Sequence, residues 1–311
     1  MKFFLVMNPG SRSGKSKKLF QKIFDFLENQ AVDYDYKITS SLDSAREYSV
    51  AANQKKYDAI IAVGGDGTIN KVVNGFFDDK GRRISTAKLG VLYTGTSPDF
   101  CKSYDLPWKD IDVALEVLVR GNFRKINIGR IVLHEKLNSP LPVVRYFACC
   151  ANLGLGATLA RGANNGIRKY IGDNAGTFLS LLKTLATYRP NQFRIKVDGR
   201  NMETDSLHNL SVGLTKYIAS GIKVAHDLPL TGKNFYILMI KNMQLKNLPE
   251  VFQKIYSGKK IINNQVVSLD YINEIEIDEN KQNPEVEFDG DPHGYLPCKI
   301  ELSQDQLELI C

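Results

Sequence analysis

The pattern of apolar and polar positions divides the chain near residue 125. Before that point, short apolar runs alternate with segments of helical spacing. Residues Lys2–Met7, 35–38, 59–63 and Lys88–Tyr93 read as strands. The run at 59–63 is unbroken and closed by two glycines, which marks a strand buried on both faces of a parallel sheet. The intervening segments carry apolar residues three and four apart: 15–27 through Leu19, Ile23, Phe24, Phe26 and Leu27, a helix through Ala45, Tyr48 and Ala52, then Ile69 to Phe77, and 111–119 with Gly121 as its stop. This alternation predicts a doubly wound, mostly parallel α/β domain over residues 1–125.

Beyond it the period changes. Residues 125–133, 143–153, 193–197, 208–215, 235–240, 265–271 and Glu274–Ile277 read as strands with few helices between them. That is the signature of an antiparallel β domain, expected as a sandwich over residues 126–299. The tail at 299–307 reads as a strand and turn, which makes 300–311 a candidate to return to the first domain. A helix is predicted around 178–188, with Phe178, Leu181, Leu182 and Leu185 on one face and Arg168, Lys169 and Lys183 flanking it. Core packing is the first reading of that face, and a basic amphipathic patch meeting anionic lipid is the other.

The polar residues that matter sit where strands end. After 59–63 comes Gly64-Gly65-Asp66-Gly67-Thr68-Ile69-Asn70, a glycine turn opening a helix for which Thr68 is well placed as a cap. Glycines admit a ligand close to backbone N–H groups, and a helix N-terminus favours anions, so the string points to phosphate. Asp66 adds a carboxylate suited to hold Mg²⁺ or to accept a proton. A tight turn with Asp66 as a local cap is the bland alternative. The loop after the first strand, residues 8–14, is followed by Lys15 and Ser16 and so imitates a P-loop. However, Pro9 stands where the first glycine belongs, and counting from Gly10 leaves the spacing one residue short. After Lys88–Tyr93 the chain reads Thr94-Gly95-Thr96-Ser97-Pro98-Asp99-Phe100, again polar and glycine residues at a strand's carboxyl end. Late in the chain, Glu287-Phe288-Asp289-Gly290-Asp291 places an acidic pair around a glycine, by itself a plausible hairpin turn.

These strings resemble the diacylglycerol kinase catalytic-domain superfamily, which includes sphingosine and ceramide kinases and bacterial lipid kinases. The 57–77 stretch resembles its nucleotide loop, and a related loop occurs in NAD kinases and phosphofructokinases. The resemblance implies a nucleotide-binding domain of that α/β type, a β-sandwich lipid domain, and an active site in the cleft between them. Carried over residue by residue, it implies ATP held by Asn8, Thr39, Gly64, Gly65, Asp66, Gly67, Thr68, Asn70, Gly95, Thr96 and Asp99. Asp66 and Asp99 would organise Mg²⁺, and Asp291 would stand at the last carboxylate of the DGE motif, the proposed base, with Asp66 as the second catalytic candidate. Departures from the family pattern are Pro98 for asparagine, Lys71 for glutamate, Ala157 and Thr158 where an acidic residue is usual, Thr231 where a second metal site has a carboxylate, and Asp291 for glutamate. The implied activity is ATP-dependent phosphorylation of a lipid hydroxyl, such as that of diacylglycerol or a sphingoid base. A non-catalytic lipid- or nucleotide-binding relative and a kinase for a soluble acceptor remain as alternatives.

Composition bounds the rest. The chain has 311 residues and a net charge of +7, which favours anionic partners such as nucleotides or an acidic membrane surface. With the family in view, peripheral contact with anionic membrane is expected and nucleic acid is not. The five cysteines lack metal-ligand spacing and read as free thiols of a reducing compartment. No apolar run approaches the ~20 residues that span a bilayer, so the expected location is cytoplasmic, with membrane association during turnover.

Overall fold

A computed structural model describes residues 1–12, 14–137, 139–157, 188, 190–218, 222–278 and 284–311. The chain divides into two compact units. One comprises residues 1–128, 146–148 and 303–311; the other comprises 129–145 and 149–302.

In the first unit, β1 (Lys2–Met7), β2 (Asp33–Ile38), β3 (Ala59–Gly64) and β4 (Lys88–Tyr93) run parallel in the order β2-β1-β3-β4. The sheet continues through β18 (Leu307–Ile310), parallel to β4, and ends at β5 (Phe123–Ile126), antiparallel to β18. Five helices are described here: α1 (Phe20–Asn29), α2 (Leu42–Asn53), α3 (Asp66–Asn74), α4 (Asp99–Ser103) and α5 (Ile111–Arg120). Phe3, Leu5 and Met7 of β1 and Ala59, Ile61 and Val63 of β3 face α1 and α5, meeting Phe20, Ile23, Leu27, Ala114, Leu115 and Leu118. Strand alternation sends Phe4, Val6, Ile60 and Ala62 to the opposite face, where they are equally buried, against α2 and α3. Helices on both faces are why these strands read as unbroken apolar runs.

The segment 15–27 is not one helix. It opens as a 3₁₀ turn, Lys15–Leu19, before α1 begins. Gly14, at φ +85°, leads into it without a side-chain cap, and the uncapped turn tightens. The run 125–133 is likewise two strands in two sheets, β5 and β6 (Gly129–His134). Between them Asn127 accepts from Gln306 Nε2 at 2.7 Å, and Ile128 O accepts from Ser303 N at 3.0 Å. Residues 143–153 split into β7 (Val143–Phe147) and β8 (Cys150–Gly154). At that break Tyr104 Oη donates to Ala148 O at 2.8 Å, and Cys149 N donates to Asp289 Oδ1 at 2.8 Å.

In the second unit β9 (Asn191–Val197), β10 (Arg200–Gly213), β13 (Phe235–Lys241), β14 (Val267–Ile272), β15 (Glu274–Ile277), β16 (Glu285–Phe288) and β17 (Asp291–Leu302) join β6, β7 and β8 in an antiparallel sheet. A separate short hairpin pairs β11 (Tyr217–Ile218) with β12 (Ile222–Lys223). The long strand β10 serves two neighbourhoods. Its first half pairs with β9, its second with β8 and β13, and the register slips between Thr204 and Leu207. The ladder β10-β8-β16-β17-β15-β9 therefore closes back on β10. The helix Leu248–Tyr256 covers a further apolar cluster that includes Tyr236, Leu238, Ile240 and Val267. Among the described residues no helix is long and apolar enough to cross a membrane. Arg168, Lys169, Lys183 and residues 178–187 of the predicted amphipathic helix lie outside the described residues, as does Thr158.

Candidate active site

In the order β2-β1-β3-β4, the chain reverses direction across the sheet between β1 and β3. The loops leaving the carboxyl ends of those two strands go to helices on opposite faces, which opens a crevice there. Three loops meet at this point. Asn8, just after β1, donates from Nδ2 to Thr68 Oγ1 at 2.8 Å and accepts from Gly10 N at 2.9 Å. Ser11 Oγ donates to Thr94 O at 3.1 Å, tying the β1 loop to the β4 loop. The β3 and β4 loops touch through bare backbone. A Cβ on Gly95 would stand 2.6 Å from Gly65 Cα and 2.6 Å from Tyr93 Oη, so only glycine allows this approach. Gly64 has a different reason to be glycine: a Cβ there would lie 2.4 Å from Thr68 Cβ, where α3 crosses the end of its own strand.

The helix begins immediately after this contact. Gly65 is its N-cap and Asp66 its first residue, because Ile69 N–H already bonds Gly65 O at 3.0 Å. Thr68 is thus the third helical residue rather than the cap, and its hydroxyl braces Asn8. Asp66 and Asp99 come together here. Asp99 N donates to Asp66 Oδ2 at 3.2 Å, and each aspartate opens a helix, α3 and α4 respectively. Pro98 fits at the position before Asp99, where its carbonyl accepts from Lys102 N at 2.9 Å and its missing N–H leaves no helical bond unmade. Burial pushes the Tyr93 hydroxyl well above its ordinary range, and the negative charge of Asp66 adds to the shift. The buried Cys101 thiol is raised for the same two reasons, burial first and Asp66 second. Both groups therefore stay protonated beside the carboxylates at neutral pH. A pair of acids supplies the oxygen ligands that a small hard cation such as Mg²⁺ takes. Among the described residues no group of three or more acids, histidines or cysteines is arranged to hold a metal.

In the second unit, Asp289 and Gly290 form the two-residue turn between β16 and β17, with φ values of +51° and +95°. That pair of positive angles suits the twist of a hairpin. The Asp289 carboxylate accepts from Cys149 N at 2.8 Å and Cys150 N at 3.3 Å, so it is committed to holding β8 against the turn. Asp291, the first residue of β17, is the partly exposed acid of the pair.

Residues 2–131 match the diacylglycerol kinase catalytic domain, and residues 151–311 match the YegS C-terminal NAD kinase beta sandwich-like domain. The chain belongs to the diacylglycerol kinase catalytic-domain superfamily. It is a lipid kinase. A diacylglycerol kinase of Bacillus subtilis (strain 168) is 27% identical over 293 residues, covering 94% of this chain and 90% of that protein. A diacylglycerol kinase of Staphylococcus carnosus is 26% identical over 305 residues, covering 98% and 93%. The crystal structure of a diacylglycerol kinase from Bacillus anthracis str. Sterne superposes with a TM-score of 0.69 at 21% identity, covering 99% of this chain and 96% of that one. Yeast NADH kinase complexed with NADH superposes at 0.57 and 12% identity, covering 100% and 83%; at these identities both structures speak to fold alone.

In this kinase, Asn8, Gly64, Gly65, Asp66, Gly67, Thr68, Gly95, Thr96 and Asp99 all lie on the three interlocked loops or the helix turns they open. Thr39 stands at the end of β2, its N–H bonded to Met7 O at 2.9 Å, one strand away. Asn70 is directed elsewhere. It is buried, and its Nδ2 donates to Tyr146 O at 3.0 Å. Lys71 bonds Asp43 at the start of α2, at 2.8 Å. Three features escaped the sequence reading: Tyr93 and Cys101 beside Asp66, and Glu287, a fully enclosed carboxyl next to the DGD turn. Val286 and Phe288 announce one buried face of β16. Only the central place of β16, between β8 and β17, shows that the other face, with Glu287, is buried too.

Proposed function

We propose that this kinase transfers the γ-phosphoryl group of ATP to the hydroxyl of a diacylglycerol-like lipid. The observation that carries the reading is the three-loop junction, where Asp66 and Asp99 are brought within one hydrogen bond at the opening of α3 and α4. The ATP phosphates lie against the backbone of the Gly64–Gly67 segment and the first turn of α3, where N–H groups and the helix dipole favour anions. Asn8 and Ser11 fix the spacing of the loops around them. Asp66 and Asp99 are the residues that would hold Mg²⁺, which when bound supplies neutralising charge to the phosphates. Phosphoryl transfer asks mainly for positioning and charge stabilisation, which suits a site made of backbone donors and two acids. The lipid hydroxyl oxygen forms the new P–O bond as the bond to the departing ADP oxygen breaks. Asp291 takes the hydroxyl proton. Peripheral contact with an anionic bilayer delivers the substrate, in keeping with the chain's net charge of +7.

The test uses purified protein, labelled ATP, Mg²⁺ and micelles of diacylglycerol, a sphingoid base, ceramide or phosphatidylglycerol, with Asp66→Ala as control. Label in one lipid, lost in the control, supports the reading and identifies the acceptor class. Asp291→Asn should lower turnover about 100-fold or more, within the range of general-base catalysis, while ATP binding stays intact. Label in a soluble acceptor and in no lipid would overturn the lipid reading.

A further inference from the structure

Below the DGD turn lies a chain of buried polar side chains that the mechanism above does not use. Glu287 Oε1 accepts from Gly290 N at 2.5 Å, and its Oε2 accepts from Asn152 Nδ2 at 2.5 Å. Asn152 Oδ1 accepts from Ser211 Oγ at 2.5 Å. Ser211 Oγ accepts from Asn209 Nδ2 at 3.0 Å, and Asn209 Oδ1 accepts from Gly156 N at 2.7 Å. From Gly156 to Glu287 every donor points the same way: the relay starts at a backbone N–H just after β8, crosses β10 and β8, and ends on Oε2 of the carboxyl group under the turn, whose Oε1 Gly290 N–H meets from the other side. All four side chains are buried: Glu287 is 3% exposed, Ser211 2%, Asn152 6% and Asn209 8%.

Packing alone does not call for this. A carboxyl in a closed sheet interior opposes folding unless its partners are complete, and an apolar residue of similar volume would fill the space without that demand. Burial pushes the Glu287 carboxyl up to about 8, with Asp289 and Asp291 adding to the rise and the two donors opposing it. Directed chains of this kind polarise one another and fix a single arrangement of the groups at their end. The group at this end is the Gly290 N–H, one residue before Asp291.

We infer that Glu287 is a positioning residue: with Asn152, Ser211 and Asn209 it locks the Asp289–Gly290 turn and so fixes the orientation of Asp291. The inference rests on Asp291 being the base. Asp289 secures the same turn from the other side, through Cys149 and Cys150. The turn is thus held by two carboxyls, Glu287 and Asp289.

The directionality supplies a test that a simple packing role would not pass. Above pH 8, where the Glu287 carboxyl is ionised and both its oxygens accept, Glu287→Gln keeps the shape, but its amide nitrogen must face either Asn152 Nδ2 or Gly290 N, donor against donor. Asn152→Asp alone sets two carboxyls face to face. Together, Glu287→Gln and Asn152→Asp restore the polarity: the introduced amide donates to position 152, whose other oxygen still accepts from Ser211. The assay is steady-state phosphorylation of lipid in micelles near pH 9, with KM for ATP and thermal melts for all variants and Asp291→Asn alongside. We expect each single variant to lower kcat about 100-fold, the effect of a displacement near 1 Å at a reacting group. KM for ATP should stay within about twofold, since uniform nucleotide binding is untouched. The double variant should recover kcat to within about tenfold of the parent. Wild-type kcat in Glu287→Gln overturns the inference, and so does a double variant no faster than the slower single one. If Asp291→Asn turns over normally while Glu287→Gln does not, the base assignment fails, and the positioning of Asp291 falls with it.

Discussion

Gly95→Ala is the most direct probe of the three-loop junction. An added methyl would stand 2.6 Å from Gly65 Cα, where ordinary contact begins near 3.4 Å, so the β3 and β4 loops must part by about 0.8 Å. Neither side yields cheaply. Gly65 Cα is backbone at the start of α3, and the second obstacle, Tyr93 Oη at 2.6 Å, belongs to a side chain only 7% exposed. Overpacking of this kind costs about 1–3 kcal/mol. The separation also moves Asp99 away from Asp66, because Asp99 N–H bonds Asp66 across the same gap. A shift approaching 1 Å at a phosphate site should lower kcat/KM for ATP about 100-fold, equivalent to about 2.7 kcal/mol of transition-state stabilisation. The assay is initial-rate kinetics with ATP varied at fixed lipid, beside a thermal melt. A Gly95→Ala enzyme with kcat/KM within about threefold of the parent would refute the claim that this spacing organises the phosphates.

Two further outcomes are expected. Asp99→Asn keeps the backbone bond to Asp66 but removes one charge, so the Mg²⁺ concentration for half-maximal activity should rise about tenfold or more. Titration of metal against initial rate reads this directly, and an unchanged midpoint would remove Asp99 from the metal set. Glu287 makes stability depend on pH. Its folded value, about 8, lies above the ordinary 4.5. Between those limits the folded chain keeps a proton that the unfolded chain has lost, and the group's contribution falls as pH rises by at most about 1.4 kcal/mol per unit. Urea unfolding from pH 5 to 8 should therefore show a shallower decline for Glu287→Gln than for the parent, and parallel curves would contradict the burial argument.

The α/β strands were legible because helices cover both sheet faces, so β3 and β4 are continuous apolar runs that end in conspicuous glycines. The place of the loops was legible for the same reason: Gly64–Asn70 and Thr94–Asp99 interrupt those runs with residues that neither a strand nor a helix interior prefers. What alternation cannot show is a strand's partner. Residues 125–133 keep one hydrophobic rhythm while the chain leaves one sheet and enters another at Asn127, and 143–153 hides a break between two strands of one sheet at Ala148. The roles of single polar residues were the least legible. Thr68 looked like a cap, but Gly65 opens the helix and Thr68 braces Asn8. Asn70 looked like a phosphate ligand because it follows the loop in sequence, yet helical rotation turns its amide toward Tyr146 O. Glu287 escaped because two neighbouring strands, invisible in sequence, bury both faces of β16.

The placement of β18 orders events during synthesis. Leu309 lies beside Leu89 of β4, and Leu307 beside Ile126 of β5. A ribosome translating this chain makes β4 and β5 early and β18 only after the whole second unit. Until then β4 presents an open edge and β5 has no partner in its sheet. Closing that sheet is a late, long-range step of the kind that slows folding. The glycine loops rest on the carboxyl ends of β3 and β4, so a prematurely released chain lacks the strand that seals the edge beside them. The first unit is therefore complete only after the whole second unit has been made.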